Sequence, residues 1–409
     1  MNERYALQVI GAGPAGISLV LALCNRIATA CGRRTPEQDL LESMCLFEAA
    51  DQPGGRMDSY RVNANTSAHD VVRGIGDGSP FEALRDRYLL HPETQSRLIP
   101  LADIGRLMVR PLATELAEYL GARLRCGTRV ERVSIGKHGF DSYDAEGRWL
   151  ASSDQLVLCC GAREVPLEEL ESFQDRWEGS GRFLQRENLD GLHQDRRPIV
   201  IIGASHSAFS CAWRLLYDPL FEDFSRDRDI VLLQRRERIK LRCTREFAAA
   251  NGVEYDPVED VCPVSGLVFR SAGLRKDAKQ LYLDLRDGRE TRARMQPMDS
   301  LEQFRDLLDA SSLILQATGF DSNLPRFERD GRAIAVGRPS ERGELCDLDD
   351  NRIIPGLFGM GLGFNIVPGE AAGEPSFTGG LHGFQSYPLT IAPGLIDKMT
   401  AAMAAEKVS

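Results

Sequence analysis

Gly11, Gly13 and Gly16 stand in Gly11-Ala12-Gly13-Pro14-Ala15-Gly16, directly after the apolar run 6–10 and directly before a second apolar run, 17–27. This is G-x-G-x-x-G in a strand–turn–helix setting, and each residue type has a task. Gly11 permits the tight turn, Gly13 lets backbone approach a pyrophosphate, and Gly16 lets a helix pack closely on a strand. Pro14 and Ala15 begin that helix, whose unpaired N–H groups and positive dipole end would face the phosphates. Glu48 ends the next apolar run, 44–47, where a carboxylate accepts hydrogen bonds from ribose hydroxyls. It comes later than the usual spacing of roughly 20 residues, and the polar stretch 28–42, read as loop, takes up the excess. A chance glycine turn before a core helix is the bland alternative, and the flanking strand and helix weigh against it.

A second such unit starts at the apolar run 199–202. Its turn carries Gly203, Ser205 and Ala208 at the three glycine places, with His206 and Ser207 between them. Serine and alanine are small enough for a phosphate to approach. The next strand, 230–233, is followed by Gln234, Arg235 and Arg236. An acid there would repel a 2′-phosphate, whereas arginines accept it, so Arg235 and Arg236 favour NADPH over NADH. His206, inside the turn, is expected beside the coenzyme rather than as a base, and Trp213 on the following helix is expected in the core.

The elements that must position these residues are legible in outline. The 409 residues suggest two or three domains. Residues 49–100 look irregular, 106–120 reads as an amphipathic helix, and 123–150 as a small antiparallel meander. The charged stretch 166–197 reads as a domain crossing. A final helix is expected from about residue 390. Two glycine turns imply two nucleotide-binding units, so the fold class reads as α/β with two Rossmann-like dinucleotide-binding domains.

Composition removes other classes. The formal net charge of −10 argues against sequence-independent nucleic-acid binding and against docking on an anionic membrane. No apolar run approaches the roughly 20 residues of a membrane-spanning helix, and the amino terminus shows no signal-peptide pattern, so a cytoplasmic location is expected. Ten cysteines without a C-x-x-C pair, and six scattered histidines, give neither a dithiol motif nor a metal site. Cys159-Cys160 ends a strand and reads as two buried small residues.

Residues 47–56, Phe-Glu-Ala-Ala-Asp-Gln-Pro-Gly-Gly-Arg, resemble the FAD signature of flavoproteins: an acidic strand end followed by Gly54, Gly55 and Arg56. From residue 5 to about 390 the whole chain resembles flavoproteins with two dinucleotide-binding domains. The resemblance rests on both glycine turns, Glu48 with Gly54-Gly55, Ala317-Thr318-Gly319, and the tail with Gly361 and Gly363. It implies an NADPH domain, 166–315, inserted into an FAD domain split into 1–165 and 316–409, with Thr318, Gly319, Gly361 and Gly363 near the cofactors. The tail lacks the Gly-Asp pair that the family often places on the ribityl phosphate, and Cys159-Cys160-Gly161 stands where Ala-Thr-Gly is frequent.

Within that group the chain is most similar to flavin-containing and N-hydroxylating NADPH-dependent monooxygenases. The resemblance implies a C4a-hydroperoxyflavin that passes oxygen to the nitrogen or sulfur of a small molecule, with O2 as co-substrate. Asn65, or failing it Asn63, matches the asparagine that flavin-containing monooxygenases place near the flavin, where an uncharged amide would act catalytically. His69 and Asp70 rank lower. The alternatives are an NAD(P)H-dependent flavin reductase or dehydrogenase, an amine-oxidase-like flavoprotein, and a flavin-binding partner subunit without turnover. A homo-oligomer is possible on this reading.

Overall fold

The structure is a computed structural model. It describes residues 4–364, apart from 31, 97, 236–238, 264, 271–272 and 338–342, together with 394 and 396–401. Arg236 lies outside the described residues. Of the final helix expected from about residue 390, residues 394 and 396–401 are described, and they are helical.

The first sheet is built on strand Arg4–Ile10. Met44–Phe47 pairs with it in parallel on one side and Trp149–Leu158 on the other, so that Val9 lies opposite both Leu46 and Val157. Leu124–Arg125 extends the first edge, and Ile353–Gly359 runs parallel to the end of Trp149–Leu158. The strands are apolar and buried on both faces, as central parallel strands must be. Helix Pro14–Ala28 is buried from Gly16 to Cys24 and packs on this sheet. The expected meander is present: Arg132–Gly136, Gly139–Tyr143 and Trp149–Leu158 are antiparallel neighbours.

The second sheet is wholly parallel. Its order is Ala293–Pro297, Ile230–Gln234, Ile199–Ile202, Leu313–Gln316 and Trp177–Gly179. Helix His206–Tyr217 follows its central strand. The chain passes between the sheets twice, and the two crossings lie side by side: Ala162–Arg163 pairs antiparallel with Asp321–Ser322. It then rejoins the first sheet where Arg326–Arg329 pairs with Arg132–Gly136. The fold is thus α/β, with a mixed first sheet around a parallel centre and a wholly parallel second sheet.

Several local expectations are corrected. The stretch 28–42 is not all loop, because Pro36–Glu42 is a helix whose cap Thr35 accepts from the Gln38 N–H at 3.3 Å. Thr35-Pro36-Glu37-Gln38 carries a capping pattern. Residues 49–100 hold helices Ala68–Val72 and Glu82–Leu90. The helix expected at 106–120 begins earlier, with Leu101–Ile104 and a π turn at Gly105–Val109 leading into Arg110–Leu120. The crossing 166–197 also supplies a strand, Trp177–Gly179, to the edge of the second sheet. Three residues are too few to show a period.

Candidate functional site

Gly11 takes φ +104°, and a Cβ on it would lie 2.3 Å from the Cys159 carbonyl oxygen. A Cβ on Gly16 would lie 2.1 Å from the Gly11 oxygen. Both glycines are therefore demanded by the chain's own packing. Gly13 differs: a Cβ there would meet only Gly55 Cα, at 3.9 Å. Gly13, Pro14 and Ala15 line a large cavity, so the space that Gly13 leaves open belongs to that cavity. Helix Pro14–Ala28 begins here with no side-chain cap and no acid in its first turn, which leaves its N–H groups for an anion.

Glu48 also lines the cavity. One carboxylate oxygen accepts from the Ala12 N–H at 2.8 Å and the other from the Ala50 N–H at 2.9 Å, so the carboxylate is fixed at the strand end beside the turn. Gly54 (φ +112°) and Gly55 (φ +69°) follow, and Gly54 N–H donates to the Ala12 carbonyl at 2.8 Å. Exposed Arg56 lines the cavity.

Sequence reasoning missed Arg110. It stands at the head of helix Arg110–Leu120 and donates to Asp58 and to the carbonyls of Pro53 and Gly55, at 2.8, 2.8 and 3.0 Å. The guanidinium fork thereby fixes the turn that carries Gly54 and Gly55. No motif around Arg110 signals this, because its partners lie more than fifty positions earlier.

The cavity measures about 1190 Å³, above the roughly 300–1,000 Å³ of most small-ligand sites. Its walls come from both units. The first contributes Gly13, Glu48, Gly55, Tyr60, Asn63 and Asn65, and the second contributes His206, Ser207, Ser210, Trp213, Lys276 and Asp277. Trp213 is half-buried, packed against the core of the second unit as expected and also lining this wall. Burial pushes the Tyr60 phenol up, so it stays protonated. Asn65 is half-buried, and its amide makes no hydrogen bond with another described residue. Asn63 instead donates to Asp277 at 2.7 Å. The Asp70 carboxylate is occupied at the cap of helix Ala68–Val72, where it accepts from Ser67 Oγ at 2.8 Å, and His69 is exposed outside the cavity.

The second turn repeats the first. Gly203 has φ +148°, and a Cβ on it would lie 2.4 Å from the Ala317 oxygen. Ala208 is fully buried beneath the turn and Ser205 is exposed. His206 Nε2 lies 3.2 Å from the Gly273 carbonyl, so the ring proton sits on Nε2. Burial, with Arg275 nearby, holds its pKa down to about 4. It is a neutral imidazole, not a base poised near neutrality. Arg235 is exposed just after strand Ile230–Gln234. Gly203, Ser205, Ala208 and Arg235 lie outside the cavity lining, as do Thr318, Gly319 and Gly363, whereas Gly361 is part of it. Thr318 Oγ1 accepts from Gln316, and Ser322 Oγ donates to the Gly363 carbonyl at 2.6 Å.

Cys159 is buried, and half-buried Cys160 lines the cavity. Burial pushes the Cys159 thiol up, and the Cys160 thiol to about 12. Both remain protonated at neutral pH, the wrong state for a thiolate nucleophile.

These residues fit a dinucleotide. An open glycine face, an uncapped helix start, a fixed carboxylate at the strand end and a deep adjoining cavity occur together. No family model matches the chain. A CMP-5′-(3-aminopropyl)phosphonate hydroxylase of Streptomyces rubellomurinus is 26% identical over 432 aligned positions, which cover 94% of this chain and 94% of that protein. Among solved structures, an ornithine N-hydroxylase of Kutzneria sp. 744 with reduced FAD, NADP+ and L-ornithine is similar at TM-score 0.56 and 13% identity, covering 98% of this chain and 100% of that one. The chain has the fold of the flavoproteins with two dinucleotide-binding domains. That flavoprotein fold also hosts reductases: a bacillithiol disulfide reductase of Staphylococcus aureus is similar at TM-score 0.53 and 12% identity, covering 99% of both chains. The reaction must therefore be argued from the site. No helix among the described residues is long and apolar enough to cross a membrane.

Proposed function

We propose that the protein is an FAD-dependent, NADPH-consuming monooxygenase that hydroxylates the amine nitrogen of a small molecule. The observation that carries this reading is the placement of half-buried Asn65 in one cavity with the Gly13–Glu48 face and the His206–Ser207 turn, its amide without a hydrogen bond among the described residues. FAD, when bound, would take a hydride from NADPH and react with O2. The chain's own residues do the rest. Gly13 and the following helix start hold the pyrophosphate, and Glu48 holds the ribose. Arg110 fixes the turn at Gly54-Gly55. Ser207 and the second turn receive NADPH, with Arg235 and Arg236 directed to its 2′-phosphate. Asn65 offers a hydrogen bond without adding an acid, which suits a site that must delay proton-driven loss of H2O2.

The overall change balances: NADPH, a proton, O2 and R–NH2 give NADP+, water and R–NHOH. An amine substrate is supported by the names of the similar hydroxylases, which give CMP-5′-(3-aminopropyl)phosphonate and ornithine. The competing reading is a dithiol reductase. Against it stand the protonated thiols of buried Cys159 and half-buried Cys160.

The test supplies the purified protein with FAD, NADPH and isotopically labelled O2, and a panel of L-ornithine, L-lysine, cadaverine and CMP-5′-(3-aminopropyl)phosphonate. Incorporation of one labelled oxygen into an amine is the expected result. NADPH consumption that yields only H2O2 across the panel, or disulfide reduction without O2, would overturn it.

A further inference from the structure

The segment 62–66, which carries Asn65, is held from two sides. On its own side the backbone is tied to 99–101: Ala64 N–H donates to the Ile99 carbonyl, and Leu101 N–H to the Val62 carbonyl, each at 2.8 Å. On the other side it meets two adjacent residues of the second unit. Asn63 Nδ2 donates to Asp277 Oδ2 at 2.7 Å, and Lys276 Nζ donates to the Thr66 carbonyl at 2.6 Å. The two contacts bracket Asn65 along the chain.

Lys276 and Asp277 begin helix Lys276–Arg286 in an unusual way. Lys276 has φ +44°, a left-handed conformation that a residue with a long side chain seldom adopts. Such a conformation persists where its surroundings impose it, and such places cluster at functional sites. Three residues earlier, Gly273 has no room for a Cβ, which would lie 2.2 Å from the Arg242 nitrogen, and its carbonyl faces His206 of the second glycine turn. The segment 273–277 therefore touches the turn assigned to the coenzyme at one end and the Asn65 segment at the other.

We propose that Asp277 and Lys276 are positioning residues that hold the Asn63–Thr66 segment at the cavity wall, and that this hold sets how much reducing power escapes as H2O2. The inference rests on the monooxygenase reading above. Leakage follows the balanced reaction in which NADPH, a proton and O2 give NADP+ and H2O2, a change that needs no amine. Neither residue need touch the reacting atoms.

Asp277→Ala removes the acceptor for Asn63, whereas Asp277→Asn keeps a carbonyl oxygen that can take its place. Two readouts apply. The first is hydrogen exchange of peptides covering 62–67 in the protein without cofactors. The second is H2O2 release by the FAD-loaded protein with NADPH and no amine. For Asp277→Ala we expect faster exchange in 62–67 and release raised by about two- to tenfold, the equivalent of one hydrogen bond. FAD content and the rate of NADPH-driven flavin bleaching should be unchanged, and Asp277→Asn should resemble the parent protein in both readouts. Unchanged exchange and release in Asp277→Ala would overturn the inference. So would an Asp277→Asn protein as leaky as Asp277→Ala, since charge and not position would then be at work. If Asp277→Ala does not fold, Lys276→Met removes the other contact and is read in the same two ways. Asn65→Ala, measured alongside, separates the readings: if it does not leak while Asp277→Ala does, the role of Asn65 fails and the positioning stands.

Discussion

Gly11 and Gly203 occupy equivalent places in the two halves of the molecule. Gly11 N–H donates to the Phe47 carbonyl at 2.7 Å, and Gly203 N–H to the Leu233 carbonyl at 2.9 Å, each at the end of the neighbouring strand. Behind them Cys159 N–H donates to Ile10, and Ala317 N–H to Ile202, at 2.7 and 2.8 Å. In both cases the missing Cβ is replaced by a carbonyl oxygen of the strand alongside, that of Cys159 or of Ala317. The same backbone device thus shapes both glycine turns of the chain.

The first prediction separates a folding glycine from a binding one. Gly11→Ala must displace backbone and strain a positive φ, so it should lose stability by about 1–3 kcal/mol or more. Gly13→Val projects only into the cavity. It should unfold at nearly the parent temperature without FAD, yet purify colourless. Thermal melts with and without FAD, together with the flavin absorbance, check both. A Gly13→Val protein that retains its yellow colour would remove this turn from FAD binding.

Arg110 joins three groups of the 53–58 turn. Arg110→Met keeps the length and apolar stem but loses the fork. FAD affinity should fall by about tenfold, the order of one charge-assisted hydrogen bond. Titration of the apoprotein with FAD measures this. Arg110→Lys should recover little, because an ammonium cannot span the three acceptors in one plane.

Coenzyme choice is read from Arg235 and Arg236. Replacing both with Ala should lower kcat/KM for NADPH by about 10- to 100-fold, the cost of losing charged contacts to a phosphate, and leave NADH little changed. Steady-state rates with each coenzyme decide it. Equal losses for both, or none, would exclude the pair from this role.

Asn65→Ala should still bind FAD and still oxidise NADPH. Its output should move from hydroxylated amine to H2O2, with a loss on the order of 2–4 kcal/mol of stabilisation for one preorganised donor. The ratio of H2O2 to NADPH consumed, with amine present, is the measurement.

His206 should make stability depend on pH in one direction. Its pKa is about 4 in the fold and 6.5 for the ordinary side chain, so between those values the unfolded chain binds more protons. Its contribution is complete above about pH 6.5 and is lost as the pH falls toward 4. His206→Gln should therefore flatten the fall in melting temperature across that window. An equally steep fall in the variant would mean that other groups account for it.

The two nucleotide-binding units were legible in the sequence because their requirements are local. A left-handed turn next to a carbonyl admits only glycine, and apolar runs of strand and helix length mark what flanks it, so Gly11, Gly16, Glu48 and Gly203 were found from near neighbours alone. The helix Pro36–Glu42 was read as loop, because its capping residue Thr35 stands in a polar stretch that hides the pattern. What depends on distant partners was not legible either. Arg110 reaches a turn more than fifty residues earlier, Asp277 meets Asn63 at the cavity wall, and Trp213 adds a place on that wall to its contact with the core. Nothing near these residues differs from any charged or aromatic residue on a helix. Local sterics and periodicity are properties of adjacent residues, whereas which side chain meets which across a cavity is decided only when the two sheets are brought together.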